Sequence, residues 1–166
     1  MTETVLTASR LWKRMTPEQR FAAARAFWLD DEATDDHVQA VLLISQQKKF
    51  RPKTVISLDA DRKARHLASL PSLPDGLAAR TLIVYHLAEQ RQMMGAFLDA
   101  LGIAHEDGLI QDDEVAPDPA KVGAAVAQIA RQFPTASVTL YLSTLLCQDP
   151  QAWRMLAEVV ERAPAV

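Results

Sequence analysis

The sequence predicts an all-α fold, a single bundle-like domain of about seven or eight helices spanning residues 1–166. Three observations carry that expectation. Ala (27) and Leu (20) together outnumber Val plus Ile (18), which leans the chain toward helix. Proline repeatedly follows a good capping residue, at Thr16-Pro17, Asp118-Pro119 and Asp149-Pro150, where its missing N–H costs a starting helix nothing. Apolar residues then recur at helical spacing behind those starts.

In chain order, Thr16-Pro17-Glu18-Gln19 is a capping box, followed by Phe21, Ala24 and Trp28 on one face. A helix over about Asp36–Lys49 follows, with Val38, Val41, Leu42 and Ser45 as its inner stripe. Pro52 opens a short turn, and Ala60, Ala64 and Leu67 give the next helix a small inner face. Pro71 and Pro74 interrupt the chain before the longest element, about Leu77–Leu101, with Leu77, Val84, Leu87, Met94, Leu98 and Leu101 on its seam. This long helix near 77–101 is expected to be central, packed by the helices that start at Pro119 and Pro150. Gly102 suits a left-handed C-terminal stop with Ile103 folding back on Leu98. Val122, Val126, Ile129 and Phe133 mark the next helix; Trp153, Leu156 and Val160 mark the last. Pro164 follows as a stop.

Thr81–Leu87 and Ser137–Ser143 are rich in β-branched and aromatic residues, and with Lys53–Leu58 could be read as three strands. Turn glycines for βα units are lacking, and the Leu77 seam runs through Val84 and Leu87 at helical spacing, so helix is preferred. There is no internal repeat. The only change in composition, near residues 50–53, offers a possible subdivision into an N-terminal helical part and a C-terminal bundle.

Composition narrows the function classes. One cysteine, Cys147, leaves no intramolecular disulfide and no Cys-based zinc site. The first residues lack the apolar core of a signal peptide and no apolar run is long enough to span a bilayer, so a cytoplasmic protein without a membrane partner is expected. No Gly-x-Ser-x-Gly turn or phosphate-cradling glycine loop is present. No cofactor is expected. Cys147, the Met93-Met94 pair and the three Trp read as packing residues.

Three segments carry charge or chemistry worth weighing. Residues 103–114 (IAHEDGLIQDDE) match part of a calcium loop, with Asp107, Gly108, Ile110 and Glu114 at the fifth, sixth, eighth and twelfth positions. Ile103 and His105 stand where the first and third oxygen ligands belong, which favours a plain acidic turn on Asp107-Gly108. His86, Glu89 and Arg91 form a candidate polar pocket in the long helix, with His86 as proton shuttle or ligand and Arg91 as anion anchor. The competing reading is an internal salt bridge or a snorkelling arginine. A two-residue His/Glu pair lacks the further ligands of a di-iron bundle. His37, His66 and His105 are widely spaced, so no metal is expected.

The third segment is electrostatic. Lys48, Lys49, Arg51, Lys53, Arg62, Lys63 and Arg65 face only Asp59 and Asp61 in the same stretch, a net charge of +5 within a chain of net −3. Phe50 is the one aromatic inside it, and Arg62, Arg65 and His66 share one helical face. This is a candidate anion-binding surface for a phosphate or acidic ligand, or for nucleic acid. The alternative is a solvated helix surface or a partner for the chain's own acids, Asp30, Asp31, Glu32, Asp35 and Asp36, or the six between Glu106 and Asp118.

Phe50-Arg51-Pro52-Lys53 and the run Ala96–Ile110 resemble segments of an uncharacterised bacterial family of all-helical proteins with no assigned function. That resemblance implies a bacterial origin and supports helices; it implies no activity or site. With no catalytic constellation in view, the reading is a non-enzymatic helical protein acting through protein–protein contacts or self-association. The basic stretch 48–66 and the polar cluster of the 77–101 helix are the alternatives, one for anion binding and one for small-molecule binding or catalysis.

Overall fold

A computed structural model describes residues 5–112 and 114–162. The protein is all-α, with ten helices and one two-stranded ribbon among the described residues. The described residues divide into two compact units, one of residues 8–85 and one that combines residues 5–7 with those from 86 to 162, with the boundary inside a helix at Tyr85–His86. Residues 50–53 lie within the first of these.

The unit of residues 8–85 is built from α1 (Ala8–Arg14), α2 (Pro17–Leu29), α3 (Thr34–Lys48), α4 (Pro52–Ile56), α5 (Ala60–Ala68) and most of α6 (Asp75–Glu89). The predicted capping box starts α2. The Gln19 N–H donates to Thr16 Oγ1 at 3.1 Å, and the Thr16 N–H donates to Gln19 Oε1 at 3.0 Å. The most extensive helix pairing is between α2 and α5. Their buried residues include Ala23, Ala24 and Ala64, side chains small enough to let two helix backbones approach closely. Trp12 Nε1 donates to the Leu70 carbonyl at 3.4 Å, which ties α1 to the segment after α5.

The inner stripe of α3 differs from the one expected. Val41 is buried, but so are Ala40 and Ile44, whereas Val38 and Leu42 are 56% and 55% exposed. Two overlapping apolar stripes fit this helix, and the one centred on Ala40–Ile44 is covered.

The second unit contains α7 (Arg91–Leu101), the ribbon β1 (His105–Glu106) and β2 (Leu109–Ile110), α8 (Pro119–Gln132), α9 (Thr135–Gln148) and α10 (Leu156–Arg162). Its core joins Met93, Phe97 and Leu98 of α7 to Val122 and Ile129 of α8, Tyr141 and Leu145 of α9, and Trp153. Gly102 ends α7 as expected, with φ +68 and the Ile103 N–H on the Leu98 carbonyl at 3.0 Å. Asp118 caps α8 through Ala120 N–H at 3.0 Å. Asp149 accepts from Ala152 N–H at 3.0 Å, but the residues after Pro150 form only turns before α10 begins at Leu156.

The expected single helix over 77–101 is two helices. Gln90, with φ −122 and ψ 23, separates α6 from α7. At this junction the Arg91 side chain takes the place of its own backbone: its Nε–H donates to the Leu87 carbonyl, the acceptor that an unbroken helix would offer to the Arg91 backbone N–H. This split, together with α4 in place of a turn, raises the helix number above the expected seven or eight. Nor is that segment the most enclosed one. Every residue of α9 from Val138 to Leu146 is buried, and a helix buried all round shows no amphipathic stripe. This explains why Ser137–Ser143 has strand-like composition yet folds as helix. The Ser143 and Thr144 hydroxyls donate to the carbonyls of Thr139 and Leu140, 2.7 and 2.8 Å away, so their burial leaves no orphaned donor.

Candidate functional site

The C-terminal end of α3, the turn after it, α4 and α5 carry the basic stretch, and α3 pairs with both α4 and α5. Lys49 caps α3 in a left-handed conformation (φ 58), and the Phe50 N–H returns to the Ser45 carbonyl at 3.1 Å. Pro52 starts α4, and Asp59 starts α5 by accepting from the Arg62 N–H at 2.8 Å. Phe50 lies edge-on to the His66 ring, with centroids 5.2 Å apart, so the turn is held on α5 by an aromatic contact.

Burial and the nearby Lys48 ammonium together hold His66 below the ordinary imidazole range, burial having the larger effect. Cations from α3 and α5 therefore sense one another. Lys48, Lys49, Arg51, Lys53 and Arg65 are all exposed and make no ion pair among the described residues. The other two cations of the stretch are engaged. Arg62 lies 3.6 Å from Asp59, and the Lys63 ammonium sits 5.3 Å from the centre of the Trp28 ring. Asp61 is taken by Arg25 at 2.9 Å. Thus both acids within the stretch have partners and five of its seven cations have none.

The acidic run beginning at Asp30 does not supply those partners. Arg80 of α6 stands 3.9 Å from Asp30 and 3.4 Å from Asp36. Arg80 Nε is off the hydrogen-bonding line at that distance, so the contact is an ion pair without a directed hydrogen bond. His37, beside these acids in sequence, has a structural role. Its Nε2 is 2.6 Å from the Phe27 carbonyl, and its ring lies against Phe27 and Trp28.

The candidate polar pocket does not assemble. His86 is buried, at 3% exposure, beside Tyr141 at a ring separation of 5.6 Å. Glu89 and Arg91 are exposed, and the Arg91 guanidinium, 58% exposed, points toward Asp107 at 3.8 Å. Exposed in this way, Arg91 is neither an anchor in a core cavity nor part of a buried pair. Tyr141, 3% exposed, is pushed above the ordinary phenol range by burial, and its hydroxyl has no hydrogen-bond partner among the described residues.

The calcium-like segment is a β-hairpin. His105 pairs with Ile110 and Glu106 with Leu109 across a two-residue turn, Asp107-Gly108, with φ of +50 and +91. Asp-Gly between short extended segments is a strong signal for a two-residue turn of this kind, and it was legible in the sequence. His105 Nε2 lies 2.7 Å from Asp99, and Nδ1 accepts from the Gly108 N–H at 3.0 Å. Accepting at Nδ1 puts the proton on Nε2, which donates to Asp99. Both ring nitrogens are thus committed to holding the hairpin, which leaves no lone pair for a proton transfer or a metal. Among the described residues no group of three or more His, Cys, Asp or Glu is placed to hold a metal ion, and no helix is long and apolar enough to cross a membrane.

The described residues form an all-α protein in which five cations of the basic stretch are exposed along the end of α3, the turn after it, α4 and α5. No protein-family model matches the chain, and neither a curated protein nor a solved structure is detectably similar to it.

Proposed function

We propose that this chain is a non-enzymatic binding protein that acts through protein–protein contacts, using the cationic face of α3, α4 and α5 to engage an acidic partner. One observation carries the reading: Lys48, Lys49, Arg51, Lys53 and Arg65 stay exposed without an ion pair among the described residues, while Asp59 and Asp61, the acids within the stretch, pair with Arg62 and Arg25. Held near one another without counter-charges, such cations raise the local concentration of an anionic surface and speed its encounter. The edge-on contact of the partly exposed Phe50 ring with His66 helps fix the turn that presents Lys49 and Arg51, so part of the ordering cost is met before a partner arrives.

The test is the binding of fluorescently labelled polyglutamate to the full chain, followed by anisotropy across a salt series, with duplex DNA in parallel. The expected result is saturable binding of polyglutamate that weakens steeply with salt, and at least about tenfold weaker binding by the triple variant K48E/K49E/R51E. No binding at low salt, or unchanged binding by the triple variant, refutes the proposal. Tighter binding of DNA than of polyglutamate refutes the choice of a protein partner.

A further inference from the structure

We infer that the exposed side of α3 pairs with α3 of a second copy of this chain, antiparallel, to make a two-fold dimer. This contact is distinct from the cationic face, although Lys49 borders both.

Asp35, Val38, Leu42, Ser45 and Lys49 follow one another at spacings of three and four, the a/d line of a heptad, along α3 and onto its cap. The buried residues Ala40, Val41 and Ile44 belong to the adjoining side, which leaves Val38 and Leu42 more than half exposed one turn apart. Scattered exposed aliphatics need no explanation. The charges that bracket this pair are what identify an occupant.

Asp35 lies seven residues before Leu42 and Lys49 seven residues after it, about 10 Å to either side along the axis. Neither makes an ion pair among the described residues. Antiparallel pairing centred on Leu42 therefore puts the two Leu42 side chains together at the axis. Each Val38 falls beside Ser45 and Gln46 of the other copy, and each Asp35 falls opposite the other copy's Lys49. Parallel pairing would instead set Asp35 against Asp35 and Lys49 against Lys49. A uniformly acidic segment would meet Asp35 head-on, as would an anionic bilayer. The strip is complementary to itself in one orientation, which is the condition for a closed two-fold contact.

Sedimentation of the full chain at low salt, over a concentration series reaching the millimolar range, tests this. The average mass should climb from 18.4 kDa toward twice that value. Leu42→Glu should weaken association at least about tenfold, with the helical circular dichroism unchanged. Asp35→Lys and Lys49→Asp should each weaken it, and the double variant should restore it; aspartate tolerates the left-handed φ of position 49. As a second readout, Leu42→Cys in a Cys147→Ser background should cross-link between copies under mild oxidation much faster than Gln39→Cys, which lies off the line. A constant monomer mass, an unaffected Leu42→Glu, an unrestored double variant or equal cross-linking at 39 and 42 overturns the inference. Polyglutamate binding by the uncharged variant Leu42→Gln, measured at concentrations where the chain is monomeric, should match wild type, so failure here is separable from failure of the cationic-face proposal.

Discussion

Replacing Gly108 by alanine adds a single methyl group, and the structure gives that group nowhere to go. A Cβ at Gly108 would lie 2.5 Å from Met94 Cε and 2.7 Å from Met94 Cβ. The Met94 methyl is the end of a flexible chain and can swing aside. Its Cβ is fixed to the α7 backbone and cannot, and Met94 is buried in the core of its unit. The hairpin would have to lift off α7, straining the Gly108 N–H bond to His105 Nδ1 and, through it, the His105–Asp99 contact. Forcing a methyl into a packed site costs about 1–3 kcal/mol. Holding alanine at φ +91 adds about 1–2 kcal/mol. The expected loss is therefore roughly 2–5 kcal/mol, a large share of the 5–15 kcal/mol that typically separates a domain from its unfolded state. Urea denaturation followed by far-UV circular dichroism reads it as a fall in midpoint with an unchanged slope. Gly123→Ala is the matched control, because nothing lies within 4 Å of its Cβ and the residue sits inside α8. There alanine should stabilise by about 0.5–1 kcal/mol. If Gly108→Ala is as stable as wild type, or if both variants shift the same way, the reasoning from Met94 and the turn fails.

Three further outcomes follow from particular contacts. His66 titrates below the ordinary imidazole range because it is partly buried and next to Lys48, so the unfolded chain binds its proton first as pH falls. Stability should thus be fully present above about pH 6.5 and decline as pH drops through the window beneath it. Polyglutamate binding should strengthen over the same window as the ring gains charge, and His66→Gln should flatten both trends in urea titrations and anisotropy. Tyr141→Phe removes a buried hydroxyl without a hydrogen-bond partner among the described residues. It should leave stability unchanged or raise it, and a loss above about 1 kcal/mol would mean that the hydroxyl is satisfied. Thr16→Ala deletes half of the capping box, and a stability loss of about 1 kcal/mol, read from a lowered denaturation midpoint, is expected, with unchanged stability counting against the box as a stabiliser.

The features legible in the sequence share a physical trait: their partners lie within two to five residues. Thr16 and Gln19 meet across one turn, Asp118 reaches Ala120, and Ile103 folds back to Leu98 behind Gly102. Local geometry decides such contacts whatever the rest of the chain does, and together with alanine and leucine usage they made the all-α class predictable. Charge segregation was legible too, since counting requires no structure.

Whether those charges meet is a tertiary matter. Arg80, 44 residues from Asp36 in sequence, takes Asp30 and Asp36, two of the acids that the basic stretch might have taken, and Arg25 takes Asp61. The inner side of α3 was ambiguous for a related reason. Periodicity locates apolar stripes, but when two overlap the neighbouring helix selects one, and here it covers Ala40 and Ile44 and leaves Val38 and Leu42 outside. The grouping of His86, Glu89 and Arg91 assumed a continuous helix, which breaks at Gln90. By itself the sequence determined the class of fold, the helix caps and the uneven placement of charge. Only the tertiary structure decided which surfaces stay open and which charges stay unpaired, because burial and ion pairing depend on residues that are distant along the chain and adjacent in space.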